Sequence, residues 1–412
     1  MGTVWLIALI FTAADLKLDA TVRNEDRAGV LATGPTTPSV RAADFELNPR
    51  LLLRLATPQT LTTCSYGPRL FYRVPDPLAK GPLVLHQGDL ELIARLSPVW
   101  TLSSKAYLYA GAVDYSRALL VFDARTQTPA SLPDTGTIRY LSSGAVVALA
   151  RTLSEQQRVS SSLQVSTNRP LPGTSSAGFP AQNRAELAGQ YVWGLGLRDE
   201  LQGTLSLSET EYRPGPAYAS FSPLAGWRRV LDHHQELTLH LGALMAATNG
   251  YATGSESGSP ATVPRGLRFL PIVDGTYSYQ AGPVGRAILR GEVSAGVTGY
   301  FEPVAAVVEP RGFLTLKGEL APSTATQLRL TGAVYAPLNR AHSAQTAAFA
   351  DPFPTVGYAD AAWHQVWSNQ VDSELGVRAS TRATPLTASR LTTNQPELLG
   401  YVAVTVAAEL VE

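Results

Sequence analysis

The sequence predicts an all-β protein, a transmembrane antiparallel up-and-down β-barrel of about 18 strands. Three observations predict it. Apolar and polar residues alternate from one end to the other, the alternating runs are long, and short connections take turns with long ones. A period of two sorts side chains onto opposite faces of a strand. Several runs reach about 10 residues, whereas strands of soluble proteins peak at about 5–6 and a strand crossing a membrane needs about 9–11.

Taken in order, Leu16, Leu18, Ala20 and Val22 interleave with Lys17, Asp19, Thr21 and Arg23. Phe45, Leu47, Leu51, Leu53 and Leu55 oppose Asp44, Glu46, Asn48, Arg50 and Arg54. Leu90, Leu92, Ala94 and Leu96 alternate with Asp89, Glu91 and Arg95. Ala185, Leu187, Trp193, Leu195 and Leu197 oppose Arg184, Glu186, Gln190 and Arg198, and Ala287, Leu289, Val293 and Val297 oppose Arg286, Arg290, Glu292 and Ser294. The last run sets Leu398, Val402, Val404, Val406 and Leu410 against Glu397, Tyr401, Thr405 and Glu409.

Tight turns are expected at Thr57-Pro58-Gln59, Ser97-Pro98-Val99, Ser154-Glu155-Gln156, Arg198-Asp199, Asp232-His233-His234, Ala281-Gly282-Pro283, Ala321-Pro322-Ser323 and Ser368-Asn369-Gln370. Long loops rich in Pro, Gly, Ser and Thr fall near residues 24–42, 74–84, 111–139, 168–182, 213–217, 247–265, 302–310, 338–354 and 381–395. Eight turns and nine loops give seventeen connections and therefore eighteen strands, or sixteen if one hairpin is merged. An even count, with short turns in the periplasm and long loops outside, is the pattern of outer-membrane barrels. Pairing the first strand with the last removes the remaining free edge. Pro49, Pro68, Pro223 and Pro271 fall in or near strands, where a missing N–H predicts bulges, or strand ends displaced by about one or two residues.

Composition agrees. Charged residues make up 16% of the chain, against about 25% in an average soluble protein, and 45% are apolar. Mean hydropathy is +0.01. Thirty-three basic residues balance 33 acidic ones, so no nucleic-acid-binding surface follows from charge. A single cysteine, Cys64, excludes an internal disulfide and a multi-cysteine metal site.

Val4 to Ala14 is the only sustained apolar run. It is too short for a membrane helix, which needs about 20 residues. It fits the apolar region of a secretory leader, with Thr12-Ala13-Ala14 as the small-residue cleavage site; an apolar first strand is the other reading. The expected organisation is a leader-like segment over residues 1–14 and one barrel domain over 15–412.

No HExxH, CxxC, G-x-S-x-G or P-loop pattern occurs. His86, His233, His234, His240, His342 and His364 are scattered, and the adjacent His233 and His234 read as a solvated turn pair. An outer-membrane hydrolase would need a Ser–His pair at the lipid-facing rim, whereas the parity of His240 points inward. Neither catalytic residues nor metal nor cofactor are expected. Trp100, Tyr191, Trp193, Tyr218, Trp227, Tyr277, Tyr279, Tyr300, Tyr335, Tyr358, Trp363 and Trp367 lie toward strand ends and read as an aromatic girdle at the membrane interfaces.

The charged strand residues are the candidate site. Arg50, Arg54, Asp89, Glu91, Arg95, Lys105, Arg184, Glu186, Arg198, Arg286, Arg290, Glu292, Lys317, Glu319, Arg329, Asp372, Glu374 and Arg378 share the polar parity. A charge at the lipid midplane costs about 2–4 kcal/mol for Arg or Lys, so this parity should line the lumen. Mixed charges with Gln, Ser and Thr suit a polyhydroxylated solute, while pairing across the lumen would close it. Tyr107, Tyr109 and Tyr401 share the same parity.

In strand number, loop rhythm, size and polar lumen, the chain after Ala14 resembles the outer-membrane barrel subunits of bacterial polysaccharide-export systems. The resemblance is architectural. It implies a porin-like channel in the bacterial outer membrane, surrounded by lipid, passing a polysaccharide to the surface beside a periplasmic polysaccharide-export protein. Sugar-specific uptake porins of eighteen strands are similar in length, so uptake of sugars or small solutes is the alternative. A hydrolytic or scaffolding barrel is the alternative of another class.

Overall fold

The computed structural model describes residues 11–29, 40–74, 81–114, 137–172, 181–213, 217–248, 252–254, 260–262, 266–284, 287–302, 307–338, 355–383 and 394–411. The strands of the first half are β1 (Phe11–Gly29), β2 (Val40–Ala56), β3 (Thr60–Val74), β4 (Leu83–Arg95), β5 (Trp100–Asp114), β6 (Thr137–Ser154), β7 (Gln157–Pro170), β8 (Ala181–Gly194), β9 (Asp199–Arg213) and β10 (Ala217–Val230). Then come β11 (Gln235–Thr248), β12 (Ala252–Gly254), β13 (Pro260–Thr262), β14 (Gly266–Val284), β15 (Ala287–Glu302), β16 (Val307–Ser323), β17 (Thr326–Pro337), β18 (Val356–Val366), β19 (Val371–Ala383) and β20 (Asn394–Val411). Eighteen strands form one sheet, each antiparallel to the next along the chain, while β12 and β13 pair only with each other. β1 pairs with β2 on one side and with β20 on the other, from Lys17↔Glu409 to Gly29↔Glu397. The sheet therefore closes on itself, and no long edge is left to template aggregation.

The expected count of eighteen stands, but strand ends move. β1 begins at Phe11, and Phe11, Ala13 and Ala14 pair with β2; residues 1–10 lie outside the described residues. Ala281-Gly282-Pro283 and Ala321-Pro322-Ser323 belong to β14 and β16, which run on through register shifts at Ala281/Val284 and Leu320/Ser323. The loops expected at 24–42 and 302–310 shrink from both ends, because ladder hydrogen bonds outlast the apolar alternation used to draw them.

Several of the described short turns are held by a Ser, Thr or Asp side chain. Thr57 Oγ1 accepts from the Thr60 N–H at 2.9 Å, Ser97 Oγ from Trp100 at 3.1 Å, and Ser368 Oγ from Val371 at 3.1 Å. Asp232 Oδ1 accepts from the His234 N–H at 2.7 Å. These residues occupy a donor that the ladder would otherwise leave open, which is why they stop strands here.

The prolines do not make the expected bulges. The β2–β3 ladder skips Pro49 and its opposite number Pro68 and resumes at Leu51↔Tyr66 in the same register. Pro223 interrupts the β10–β11 ladder in the same way, yet stays paired with Leu205 of β9. Successive residues of an antiparallel strand turn their N–H groups to alternate neighbours, so a proline weakens one ladder and leaves the other whole.

One face of the closed sheet is apolar and turned outward. Leu241 is 64% exposed, Leu375 58%, Leu205 56% and Leu108 55%, and the rest of that parity is mostly Leu, Val, Ala, Gly and aromatic residues. A contiguous apolar surface of this size would aggregate in water, and hydrocarbon solvates it. Outward at the short-turn end stand Trp100, Tyr191, Trp193, Trp227, Tyr277, Tyr279 and Trp367, with Trp363 one step deeper. Arg151 lies 5.2 Å from the Trp100 ring and Arg229 5.9 Å from Trp227, which fits an interface between acyl chains and phosphates. Tyr218, Tyr335 and Tyr358 depart from the expected girdle. Their registers with Thr210, Phe313 and Ala333 turn them inward, where Tyr218 is 3% exposed within an apolar cluster. The Tyr300 side chain lies outside the described residues.

Candidate functional site in the barrel lumen

The inward face is polar, and the register decides which charges meet on it. Glu91 stands opposite Lys105, and Tyr109 donates to Asp89 at 2.9 Å. Arg50 of β2 donates to Ser65 of β3 at 3.2 Å, with Arg54 further along the same face, and Arg95 closes β4 at the turn end. Arg184 and Glu186 pair along β8 at 2.7 Å. Across β15, β16 and β17, Arg290 faces Glu319 at 3.8 Å, Lys317 bonds Glu292 at 2.8 Å, and Arg329 stands opposite Glu319 while donating to Gln327 at 2.7 Å. Asp232, Glu236, Arg290, Glu292, Lys317, Glu319 and Arg329 line a recess of about 540 Å³ near the turn end.

The wall of β18, β19 and β20 carries the densest network. Arg378 approaches Asp360 at 2.9 Å, and Tyr401 donates to Glu374 at 2.9 Å. His364 lies 3.3 Å from Asp372.

Of the candidate residues, Arg198 is misplaced by the alternation. It sits in the turn between β8 and β9, where its guanidinium donates to the Leu231 carbonyl at 3.5 Å. The apparent alternation through Leu195 and Leu197 belongs to that turn, and Leu197 is fully exposed at 102%. Arg286 lies outside the described residues. Every other candidate stands on the inward register.

Two inward contacts, of Arg228 and of His240, were not singled out from the sequence. Arg228 holds Glu236 through two bonds of 2.7 Å and approaches Glu200 at 3.8 Å. The signal existed, since Arg228 and Glu236 sit at mirrored places about the Asp232 turn, but Arg229 beside it blurs the parity. His240 bonds Asp274 of the next strand at 2.8 Å, a pairing only the register reveals. His86, on the outward face, meets Tyr66 at 2.8 Å. His233 and His234 sit at their turn with rings 3.9 Å apart.

Three inward rings lie flat against the wall because a glycine on the neighbouring strand makes room. A Cβ at Gly144 would come within 2.7 Å of the Tyr107 ring, and one at Gly226 within 2.7 Å of His240. A Cβ at Gly376 would collide with Tyr401. Rings held this way cover the exposed backbone and leave the lumen wide. Gly376→Ala should therefore lift the Tyr401 ring from the wall and break its bond to Glu374. An expected loss of about 1–3 kcal/mol follows from overpacking, read as a lower urea midpoint for refolding into vesicles. An unchanged midpoint and unchanged tyrosine near-ultraviolet dichroism would show that the ring does not depend on this glycine.

A closed sheet with an apolar outer face, a tryptophan-rich belt and a charged inner face is a transmembrane β-barrel. No protein-family model matches the sequence, and no curated protein matches it either. Among solved structures, the chain is similar to a bacterial polysaccharide outer-membrane secretin at 10% identity and a TM-score of 0.37, covering 97% of this chain and 99% of that one. It is similar to OccK2 (OpdF) of Pseudomonas aeruginosa in complex with glucuronate at 10% identity and a TM-score of 0.49, covering 97% and 99%. OpdO of the same organism gives 12% identity and a TM-score of 0.47, covering 96% and 97%. The barrel assignment rests on this chain's own ladders and faces.

Proposed function

We propose that the protein is a bacterial outer-membrane channel through which a polysaccharide leaves for the cell surface, working beside a periplasmic polysaccharide-export protein. In this reading the short turns and both ends of the described chain face the periplasm, and the long connections face outward.

The observation that carries the reading is the chemistry of the inward face. Its charges are paired side by side along the wall: Arg184 with Glu186, Arg228 with Glu236, Lys317 with Glu292 and Arg378 with Asp360. Paired charges do not grip an ion strongly. Between them, β7, β9 and β10 present Ser160, Ser162, Gln164, Ser166, Thr204, Ser206, Ser208, Ser220 and Ser222 on the inward register. Such groups exchange hydrogen bonds with successive sugar hydroxyls without holding any one of them. Conduction needs binding weak enough to leave, and a sliding polymer needs that at every step.

Deleting the gene should abolish surface polysaccharide and leave small-solute uptake intact. Reversing Arg286 and Arg290 to Glu should reduce export at unchanged barrel abundance, because Glu319 would then face an added negative charge at position 290. A deletion strain that keeps its surface glycan but fails to grow on an oligosaccharide would establish the uptake channel instead.

A further inference from the structure

We propose that the outer face of the barrel over β6–β9, at the long-loop end, binds the phosphorylated headgroup of an outer-leaflet glycolipid. The proposal rests on the outward placement of the long connections given above and on no property of the lumen. Elsewhere that end of the outer face is apolar: Leu267 of β14 is 80% exposed, Phe269 65%, Leu338 just past β17 56% and Val74 of β3 44%. On β6–β9 the same level carries charge. Arg139, Arg169, Glu209, Glu211 and Arg213 share the parity of the lipid-facing Leu141, Val165 and Leu207. Among the described strand side chains, they are all the outward carboxylates and guanidiniums at the long-loop end. Charge on the lipid face is tolerated where headgroups begin, so this sector meets polar lipid where its neighbours meet hydrocarbon.

The register spaces these groups for one headgroup. The Leu171 N–H donates to the Arg139 carbonyl at 2.8 Å and Leu141 pairs with Arg169, so Arg139 and Arg169 are diagonal neighbours on adjacent strands. Residues so placed lie about 7–8 Å apart, within reach of one phosphate for two long side chains. Without an anion between them, like charges at the edge of a low-dielectric band repel. A guanidinium has five N–H donors, so a contact kept with the wall leaves others for bidentate binding of phosphate. On β7–β9 a chain of polar contacts fixes the rest. Thr167 donates to Asn183 Oδ1 at 2.8 Å, Asn183 stands opposite Glu211, and Arg213 donates to Glu211 through bonds of 3.0 and 2.9 Å. Glu209 stands exposed on the same face, an acceptor for sugar hydroxyls. Alanines flank the charged tips: Ala112 beside Arg139, Ala181 beside Arg213, and Ala185 and Ala219 on either side of Glu209. They leave a shelf on which a headgroup can lie. From β6 to β9 the shelf spans three strand spacings, about 14 Å, wider than one phosphate with its glycerol and suited to a phosphorylated sugar.

The test is lipid binding by the purified, folded barrel in neutral detergent, titrated with lipid A, a phosphorylated glucosamine lipid, and read by native mass spectrometry. A failed export test leaves that readout standing, and a failed binding test leaves export untouched. Arg139→Gln with Arg169→Gln should weaken lipid A binding by about tenfold or more, at unchanged heat-modifiable migration and single-channel conductance. Removing the phosphates from the lipid should weaken binding to the parent by a similar factor. Arg139→Lys with Arg169→Lys keeps both charges but loses the planar fork, so its affinity should fall between the parent and the glutamine pair. Arg151→Gln with Arg229→Gln, outward at the short-turn end, should bind as the parent does. Unchanged affinity in the folded glutamine pair would overturn the proposal. Displacement of lipid A by an equal concentration of inorganic phosphate would assign the site to the free anion. Equal affinity for phosphatidylglycerol would reduce it to a general anionic surface. Either result would remove the glycolipid from the proposal and so overturn it.

Discussion

Leu205→Arg is expected to cost the barrel about 2–4 kcal/mol of folding stability in a bilayer, while Ser206→Arg, one pleat away, should cost less than about 1. Leu205 stands near the middle of β9, 56% exposed on the outward face, between Gly189 of β8 and Pro223 of β10. A guanidinium there must be desolvated in hydrocarbon or reach a distant interface along its own stem. Ser206 faces the lumen between Ala188 and Ser222, where an arginine meets water and has room to extend. Urea titration of refolding into vesicles, followed by the heat-modifiable band, measures both. Equal costs would mean that the two faces share one solvent, and the inside–outside assignment would fall with them.

That assignment was legible in the sequence because it rests on a period of two, and the period survives wherever strands keep their register. Asp89, Glu91 and Arg95 alternate with Leu90 and Leu92, and the ladder from Cys64↔Leu90 to Glu91↔Lys105 sorts them as the alternation does. Strand ends were less legible. Gly282 and Pro283 read as a turn because both residues favour turns, yet β14 continues past them with a shifted register. Arg198 failed for the opposite reason, since alternation can persist by chance through a turn that no ladder supports.

Contacts that depend on two distant strands were illegible in principle. Nothing near His240 in the chain points to Asp274, and nothing near Arg228 marks Glu200 as a second partner. The alternation places each residue on a face, but only the register sets its height. The apolar cluster on the lumen face is a further step removed, because it is assembled from strands spread from Tyr212 to Val308. Tyr218 illustrates the gap, because an aromatic near a strand end reads as girdle until its neighbour Thr210 fixes it inward.

Removing Arg378 should be the most damaging single change on the lumen face. Its guanidinium lies 2.9 Å from Asp360, and the two side chains are 16% and 13% exposed, less than those of Arg184–Glu186, Arg228–Glu236 and Lys317–Glu292. The Tyr401 ring lies 5.8 Å from the same guanidinium, and its hydroxyl donates to Glu374 at 2.9 Å while standing 3.5 Å from Asp360. Arg378→Ala leaves Asp360 shielded from water and facing the nearby carboxylate of Glu374 without its cation. Breaking a buried pair by removing one partner costs about 3–5 kcal/mol, and water in the lumen places the expected loss near the lower figure, about 3 kcal/mol. Asp360→Leu with Arg378→Met should recover most of it, because both desolvation penalties leave together and similar volume remains. Tyr401→Phe keeps the ring over Gly376 and removes only the hydroxyl, so its cost should be about 1 kcal/mol. The measurement is the urea midpoint of the three variants in vesicles of one composition. A double variant no more stable than Arg378→Ala would show that packing around Arg378, and not the orphaned carboxylate, sets the loss.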